Sequence, residues 1–285
     1  MDNLEKVKLL CKAYDVWPSR QKGQNFLINS KIIDQIITAA NLSTTDKVLE
    51  VGPGLGILTE ALIDKAGQVI SVELDDKLFK LLKAKFVGVK NLQLVNNDIL
   101  KIDFKNFGLA PSNYKIVANL PYNITSHFLK IFLTNQNRPK EMTLLLQKEV
   151  AERICADTTN MSLLSVSVQL YGKPEIINIV SRQNFWPKPE VDSAILKISN
   201  IKDVLAVDKF LSGISEKFFW QIVKIGFSSR RKQLQKNLAA GLRLKPDEVK
   251  KMLIQANFDE KIRAQNLSVA DWLKLAKLLD SYFNK

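Results

Sequence analysis

Between Lys47 and about Asn200, short apolar runs alternate along the chain with segments of helical periodicity. Runs of four or five apolar positions suit buried parallel strands, and amphipathic segments between them suit helices that cover a sheet. The pattern predicts strands over Lys47–Val51, Gln68–Val72, Leu92–Val95, Lys115–Ala118 and Met142–Leu146, and helices over Ile57–Lys65, Lys77–Phe86 and Lys148–Cys155. We therefore expect an α/β fold with a mostly parallel sheet and helices on both faces.

Three further apolar runs, Leu163–Tyr171, Glu175–Val180 and Ser193–Ile198, show no helical segment between them. They predict strands that form an antiparallel edge of the sheet. Met1–Tyr14 has the pattern of a helix that packs on the body of the protein.

Beyond Asn200 the periodicity becomes helical throughout. We expect an α/β catalytic domain over residues 1–200 and a small all-α domain over residues 201–285. The segments predicted as helices are Val207–Gly226, Lys232–Leu242, Pro246–Ala256 and Val269–Phe283.

A glycine-rich turn follows the first predicted strand, with the pattern E-x-G-x-G-x-G from Glu50 to Gly56. Glycines let the backbone approach a ligand closely, which makes Gly52 and Gly54 candidate cofactor contacts. A dinucleotide-binding turn would place its third glycine where Ile57 stands, so the turn suits a ligand without a pyrophosphate. A purely structural turn would give the same pattern.

Acidic side chains follow the next two strands. Glu73 can accept hydrogen bonds from both hydroxyls of a ribose, while Asp75 suits the N-cap of the next helix. Asp98 can accept from an adenine amino group, with Leu74 and Ile99 against the ring. Each acid alone could be a turn residue, but all of them fall at strand carboxyl ends, where such sheets bind ligands.

The fourth strand ends in Asn119-Leu120-Pro121-Tyr122, which predicts methyl transfer to an adenine amino group. That nitrogen is a poor nucleophile, since its lone pair is delocalised into the ring. Two acceptors, the Asn119 side-chain oxygen and the Leu120 carbonyl oriented by Pro121, can hold the amino hydrogens. Tyr122 offers a face on which an extruded base can stack. Attack on a sulfonium methyl then depends mainly on positioning.

Composition supports chemistry without an imidazole network, because His127 is the single histidine and there are two cysteines. The net charge is +13, and residues 201–285 hold 17 Lys and Arg against 9 Asp and Glu. Clustered cations favour a polyanion partner. No apolar run is long enough for a membrane span or a signal peptide, so we expect a cytoplasmic protein.

The chain resembles the ribosomal RNA adenine N6,N6-dimethyltransferases, the KsgA/RsmA family of the bacterial small subunit, from about residue 20 to at least residue 240. The stretches that carry the resemblance are Gly23–Leu27, Val48–Thr59, Val72–Asp75, Asn97-Asp98, Val117–Thr125, Gln147–Ala151, Phe185–Ala194 and Phe227–Lys232. Two places depart from it: His127, where the family usually has a proline nearby, and Met161-Ser162, where it tends to have Tyr-Gly.

The resemblance implies a Rossmann-like class I methyltransferase fold with S-adenosyl-L-methionine as cofactor. It implies two methyl transfers to each of two adjacent adenines near the 3′ end of 16S rRNA in the assembling 30S subunit. It also implies that Phe185 lies beside the target base. The implied cofactor contacts are Asn25, Leu27, Gly52, Glu73, Asp98 and Asn119.

We expect Arg230, Arg231 and Lys232 to contact RNA phosphates, and we expect a monomer without a metal or a membrane partner. Three alternatives stay open. A relative that methylates a large-subunit adenine would use the same pocket, an assembly or transcription factor could use the fold for binding, and a small-molecule methyltransferase would not need the basic helical domain.

Overall fold

The computed structural model describes residues 3–19, 23–102 and 104–283. Contacts divide the chain into two compact units, one formed by Met1–Ala151 with Gly172–Ile201 and the other by Glu152–Tyr171 with Lys202–Lys285. The second break lies beside the predicted boundary at residue 200. The segment 152–171, however, clusters with the C-terminal helices rather than with the α/β unit. Within the described residues, no helix combines the length and apolar character needed to cross a bilayer.

A seven-stranded sheet forms the centre of the first unit. Its strands are β2 (Lys47–Val51), β3 (Gln68–Glu73), β4 (Leu92–Asn96), β5 (Lys115–Asn119), β6 (Glu141–Gln147), β7 (Lys173–Val180) and β9 (Ser193–Ser199). They lie in the order β4-β3-β2-β5-β6-β9-β7. Neighbours from β4 to β6 run parallel, and β9 and β7 add an antiparallel edge, as predicted. Buried Val, Ile and Leu side chains make up much of the inner strands, which suits a sheet covered on both faces.

Two very short strands, β1 (Phe26–Leu27) and β8 (Phe185–Trp186), pair in a separate ribbon that the periodicity did not predict. Successive residues of a strand point to opposite faces. Leu27 and Phe185 therefore pack in one core cluster, and Phe26 and Trp186 pack against another.

The helices of the first unit cover the sheet and include two that the periodicity did not single out, α2 (Ser30–Ala40) and α5 (Thr125–Thr134). The predicted N-terminal helix is α1 (Asn3–Ala13), whose Val7 and Cys11 pack with Leu78 and Leu82 of helix α4 (Asp76–Lys85). The remaining helices between the strands are α3 (Ile57–Ile63) and α6 (Lys148–Ile154).

The strand predicted over Leu163–Tyr171 is wrong, since the structure has helix α7 (Leu163–Gln169) there. Ser162 and Ser165 form a reciprocal capping box that starts the helix, and this local signal outweighs the β-branched composition. Gln169 then donates to the carbonyls of Ile154 and Ala156, which ties α7 to the end of α6.

The second unit continues with α8 (Val204–Leu211), α9 (Glu216–Gly226), α10 (Leu234–Leu242), α11 (Pro246–Gln255) and α12 (Val269–Phe283). The single helix predicted over Val207–Gly226 is interrupted, because Ser212 and Gly213 adopt positive φ angles of 49° and 92°. Ser215 then caps the start of α9 through the Phe218 N–H. Trp272 of α12 is fully buried beside α9, where Gly226 leaves room for its ring.

Candidate active site

A cavity of ≈ 270 Å³ opens where β2, β3, β4 and β5 end, at their carboxyl ends. Ligands of open α/β sheets bind at this edge. The predicted cofactor and catalytic-loop residues all lie on its wall: Asn25, Leu27, Gly52, Gly54, Glu73, Leu74, Asp98, Ile99, Asn119, Leu120, Pro121 and Tyr122.

The glycine turn after β2 depends on backbone conformations that suit glycine. Gly52 has a φ of 63° and Gly54 a φ of 59°, both in the left-handed region. A Cβ at Gly54 would lie 3.2 Å from the Phe26 ring, so a side chain there would meet a buried aromatic residue. The turn therefore exposes its backbone to the cavity at these two positions.

Glu73, at the end of β3, is 5% exposed and held by two backbone donors. Gly54 N donates to Oε2 at 3.1 Å and Asp75 N donates to Oε1 at 2.9 Å. Burial nevertheless raises the pKa of this carboxyl. Glu73 thus joins the glycine turn to the end of β3, and its carboxyl group is held in place before any ligand binds. Asp75 caps α4, as predicted.

Asp98 has a structural task as well as a place on the cavity wall. Its Oδ1 accepts from Leu100 N at 3.0 Å and so caps a short 3-10 helix, while Oδ2 lies 3.8 Å from Lys101 Nζ. Beside it, Ile99 is buried, whereas Leu74 exposes 65% of its surface. An apolar side chain left open in a cavity suits the face of an aromatic ligand.

Asn119, the last residue of β5, is oriented by one hydrogen bond. Its Nδ2 donates to the Asn25 carbonyl at 3.2 Å. Oδ1 accepts no hydrogen bond from the described residues, so it remains as the acceptor. The same bond gives Asn25 a positioning role, because its backbone carbonyl orients the Asn119 side chain.

The loop after β5 is anchored on both sides of the Leu120 carbonyl. Leu120 N donates to Leu145 O at 3.0 Å, and Pro121 O accepts from Ile124 N at 3.2 Å. Tyr122 is half-buried, and its hydroxyl lies 2.9 Å from the Ser193 hydroxyl at the start of β9. Burial raises the pKa of Tyr122. Sequence reasoning missed Ser193, because the two residues are far apart along the chain.

Glu50 is a further group on the cavity wall to which the sequence argument gave no role. It is 1% exposed, and Oε2 accepts from Thr59 Oγ1 at 2.8 Å and Ser71 Oγ at 2.6 Å. Oε1 is buried without a hydrogen-bond partner among the described residues. Burial raises the pKa of Glu50 to about 7. A buried carboxyl group on a cavity wall with one unpaired oxygen can accept a hydrogen bond from a ligand.

The resemblance implied that Phe185 lies beside the target base, and the structure places its side chain in the core. It is 3% exposed and packs with Leu27, Ile36 and Ile195 in the core, because β8 presents it to the same face as Leu27. Its ring is therefore not available to stack on a base in this structure. The half-buried neighbour Trp186 occupies the other face of β8.

Arg230, Arg231 and Lys232 lie in the turn between α9 and α10, and all three are exposed. Asn237 fixes this turn by donating to Gly226 O at 2.6 Å and Ser229 O at 3.0 Å. None of the three cations forms an ion pair within the described part of the chain. His127 is exposed on α5, in agreement with a surface position.

Comparison with known proteins identifies relatives over almost the whole chain. The model of the ribosomal RNA adenine dimethylase family matches residues 19–281. A ribosomal RNA small subunit methyltransferase A from Dehalococcoides mccartyi is 43% identical over 272 residues, 95% of this chain and 92% of the relative. Another, from Fusobacterium nucleatum, is 36% identical over 263 residues, 92% of this chain and 97% of the relative.

Solved structures agree. A dimethyladenosine transferase from Plasmodium falciparum superposes with a TM-score of 0.73 at 28% identity, over 89% of this chain and 96% of that one. The 23S rRNA methyltransferase ErmE gives 0.71 at 31% identity, over 90% and 100%. The mixed sheet with its antiparallel edge is thus the class I methyltransferase fold, and this chain belongs to the ribosomal RNA adenine dimethylase family.

Proposed function

We propose that this protein transfers methyl groups from S-adenosyl-L-methionine to N6 of two adjacent adenines near the 3′ end of 16S rRNA, two on each base. The observation that carries the proposal is the pair of acceptors at the end of β5. Asn119 Oδ1 and the Leu120 carbonyl accept no hydrogen bond from the described residues and lie on the wall of the same cavity as Glu73.

The acceptor oxygens and the apolar side chains of the cavity fit the donor groups and the aromatic ring of the proposed cofactor. Glu73 would accept from the ribose hydroxyls, and Leu74 with Ile99 would contact the adenine ring. The unpartnered Oε1 of Glu50 suits the cationic end of the same molecule. When bound, S-adenosyl-L-methionine supplies a methyl group on a sulfonium, which is a good leaving group.

The protein's own residues then position the target nitrogen. Asn119 Oδ1 and Leu120 O would each accept one amino hydrogen, which holds the nitrogen lone pair toward the methyl carbon. Neither oxygen is a base, so the proton that N6 loses after transfer passes to solvent. Tyr122 would stack on the extruded base, with its ring held by the bond to Ser193.

The curated relatives favour the small subunit over the large one, since those reported above are named for it. The likeness to ErmE shows that the same fold also serves a large-subunit enzyme, so the choice of RNA does not follow from the cavity alone. The exposed turn Arg230–Lys232 supports contacts with phosphates of a folded RNA, in the assembling 30S subunit. A cytoplasmic location and a monomeric state stay predictions.

The test offers labelled S-adenosyl-L-methionine to unmethylated small-subunit particles, to large-subunit particles and to a short naked hairpin of the 16S 3′ end. We expect label in small-subunit RNA, little in the hairpin and none in the large subunit. Label in large-subunit RNA would contradict the proposal. Equal transfer to hairpin and particle would remove the proposed need for the basic turn.

A further inference from the structure

Two tryptophans of the first unit, one exposed and one half-buried, form a pair that the proposed function does not use. Trp17 exposes 59% of its surface, although it is among the largest apolar side chains. Its ring centroid lies 6.5 Å from that of Trp186, with 62° between the ring planes. An edge-to-face pair covers one ring edge and leaves ring faces open for a further stacking partner.

Trp17 is held in place although it is exposed. Asp15 forms an ion pair with Lys77 at 2.8 Å, and the Lys77 ammonium together with a hydrogen bond from Trp17 keeps the pKa of Asp15 below its usual value. Two residues after Trp17, Ser19 N donates to Gln24 Oε1 at 2.8 Å, and Gln24 N donates to Ser19 O at 3.1 Å. A ring fixed in this way loses little freedom when it binds a partner.

The pair is connected to the wall of the active-site cavity at two points. Trp186 is the strand partner of Phe26, and both Phe26 and Gln24 line the cavity. Trp186 is on the face of β8 opposite the buried Phe185, so the ribbon that buries one aromatic residue leaves its neighbour half-exposed. The Trp pair is therefore separated from the cavity wall by a single strand pairing.

Each ring has a cation near it. Lys77 pairs with Asp15, two positions before Trp17, and the exposed Lys188 follows Trp186 by two positions. Aromatic faces flanked by cations suit an unpaired nucleotide, because the base can stack while the phosphate meets positive charge.

We propose that Trp17 and Trp186 bind the base of the nucleotide next to the target adenine. The inference rests on the proposed function, in which one of two adjacent adenines must leave the stack to enter the cavity. Extrusion of one base exposes a face of its neighbour, and the Trp pair would cover that face. When the second adenine is the target, the first would vacate the cavity and a different neighbour would meet the pair.

The test is a double-mutant cycle between protein and RNA. The probe is a fluorescently labelled RNA hairpin with two adjacent adenines in its loop, compared with hairpins in which the base of one or the other adenine is removed. Binding is titrated at low salt, where phosphate contacts strengthen it. The proteins are the full chain, Trp17→Leu, Trp17→Phe, and Tyr14→Leu as a matched change of an exposed aromatic residue three positions earlier.

We expect removal of one of the two bases to weaken binding to the full chain about tenfold, from the loss of one base–aromatic stack. Trp17→Leu should weaken binding of the intact hairpin by a similar factor and then show no further loss when that base is removed. Trp17→Phe should keep most of the coupling, and Tyr14→Leu should keep all of it.

Equal losses on base removal in Trp17→Leu and the full chain would overturn the inference, as would the absence of any loss in the full chain. Methyl transfer by the full chain to small-subunit particles is read separately. No transfer with intact coupling would reject the proposed function alone, while transfer with additive effects would reject only the role of the Trp pair.

Discussion

The cavity at the strand ends and the basic turn of the C-terminal unit are built in opposite ways. In the cavity, Glu73 is almost fully buried and held by two backbone N–H groups, and Asn119 is held by one backbone carbonyl. In the turn, Arg230 to Lys232 are exposed, and the described chain supplies them with no ion pair. The cavity fixes its polar atoms in advance, whereas the turn fixes only its backbone, through Asn237.

This difference predicts what each region contributes. Acceptors that are fixed in advance can discriminate between states that differ by small movements of one nitrogen. Exposed cations act through charge and tolerate changes in geometry, so they supply affinity that weakens with salt. Variants in the cavity should therefore change the rate of transfer, and variants in the turn should change RNA affinity.

The largest effect is expected for Asn119→Ala, which removes one acceptor of the amino hydrogens. Single-turnover transfer should fall by about a hundredfold or more, by analogy with the loss of one positioned group at a transition state. Calorimetry should show only a modest loss of cofactor affinity. Asn160→Ala is the matched control, because this exposed asparagine is not on the cavity wall. A near-normal rate in Asn119→Ala would refute its role.

Replacing Arg230, Arg231 and Lys232 by Ala should lower RNA affinity and flatten the log–log salt dependence by roughly one unit per lost phosphate contact. The control replaces Lys65, Lys90 and Lys140. These exposed lysines precede β3, β4 and β6, so they lie near the amino ends of the strands, whereas the cavity lies at the carboxyl ends. It removes the same charge and should leave the slope unchanged. An unchanged slope with a lower melting temperature in the first variant would assign its residues a structural role only.

Variants of Tyr122 separate stacking on the target base from the hydrogen bond to Ser193 that anchors the ring. Tyr122→Ala should reduce RNA-dependent transfer about tenfold, since a base–aromatic stack contributes roughly 1–3 kcal/mol. Tyr122→Phe keeps the ring and loses the bond to Ser193, so its loss should be smaller and should match that of Ser193→Ala. Steady-state rates on small-subunit particles decide this. Equal losses in Tyr122→Ala and Tyr122→Phe would contradict stacking.

The smallest effect concerns stability and its dependence on pH. The pKa of Glu50 rises from 4.5 to about 7 on burial, so its stabilising contribution is fully present below about pH 4.5 and is lost as the pH rises through about 7. Glu50→Gln should therefore gain stability relative to the natural chain between pH 5 and pH 8, by on the order of 2 kcal/mol. Urea unfolding without cofactor measures this. A difference that is constant with pH would contradict a raised pKa.

Features carried by a few consecutive residues could be predicted from the sequence. The glycine turn, the acid after β3 and the Asn119–Tyr122 loop each follow a buried strand, and parallel strands bring their carboxyl ends to one edge. The pairing of Glu50 with Thr59 and Ser71 could not be predicted in this way, because its partners come from two other elements.

Two expectations differ from the structure for different reasons. Leu163–Tyr171 has the composition of a strand, but a capping box of two serines starts a helix there, and periodicity over longer windows does not register such a local cap. Phe185 was placed beside the target base by the family resemblance, whereas the pairing of β1 with β8 turns it into the core and leaves Trp186 half-exposed. A family motif does not show which residue of a short strand pair turns inward.

Mass analysis of nucleosides from 16S rRNA tests the central claim most directly. Unmethylated small-subunit particles are incubated with the protein and S-adenosyl-L-methionine, and the RNA is then digested and mapped. The account predicts N6,N6-dimethyladenosine at two adjacent positions near the 3′ end, and none when Asn119→Ala is used. Methylation at another position or on another base, or the same product from Asn119→Ala, would contradict it.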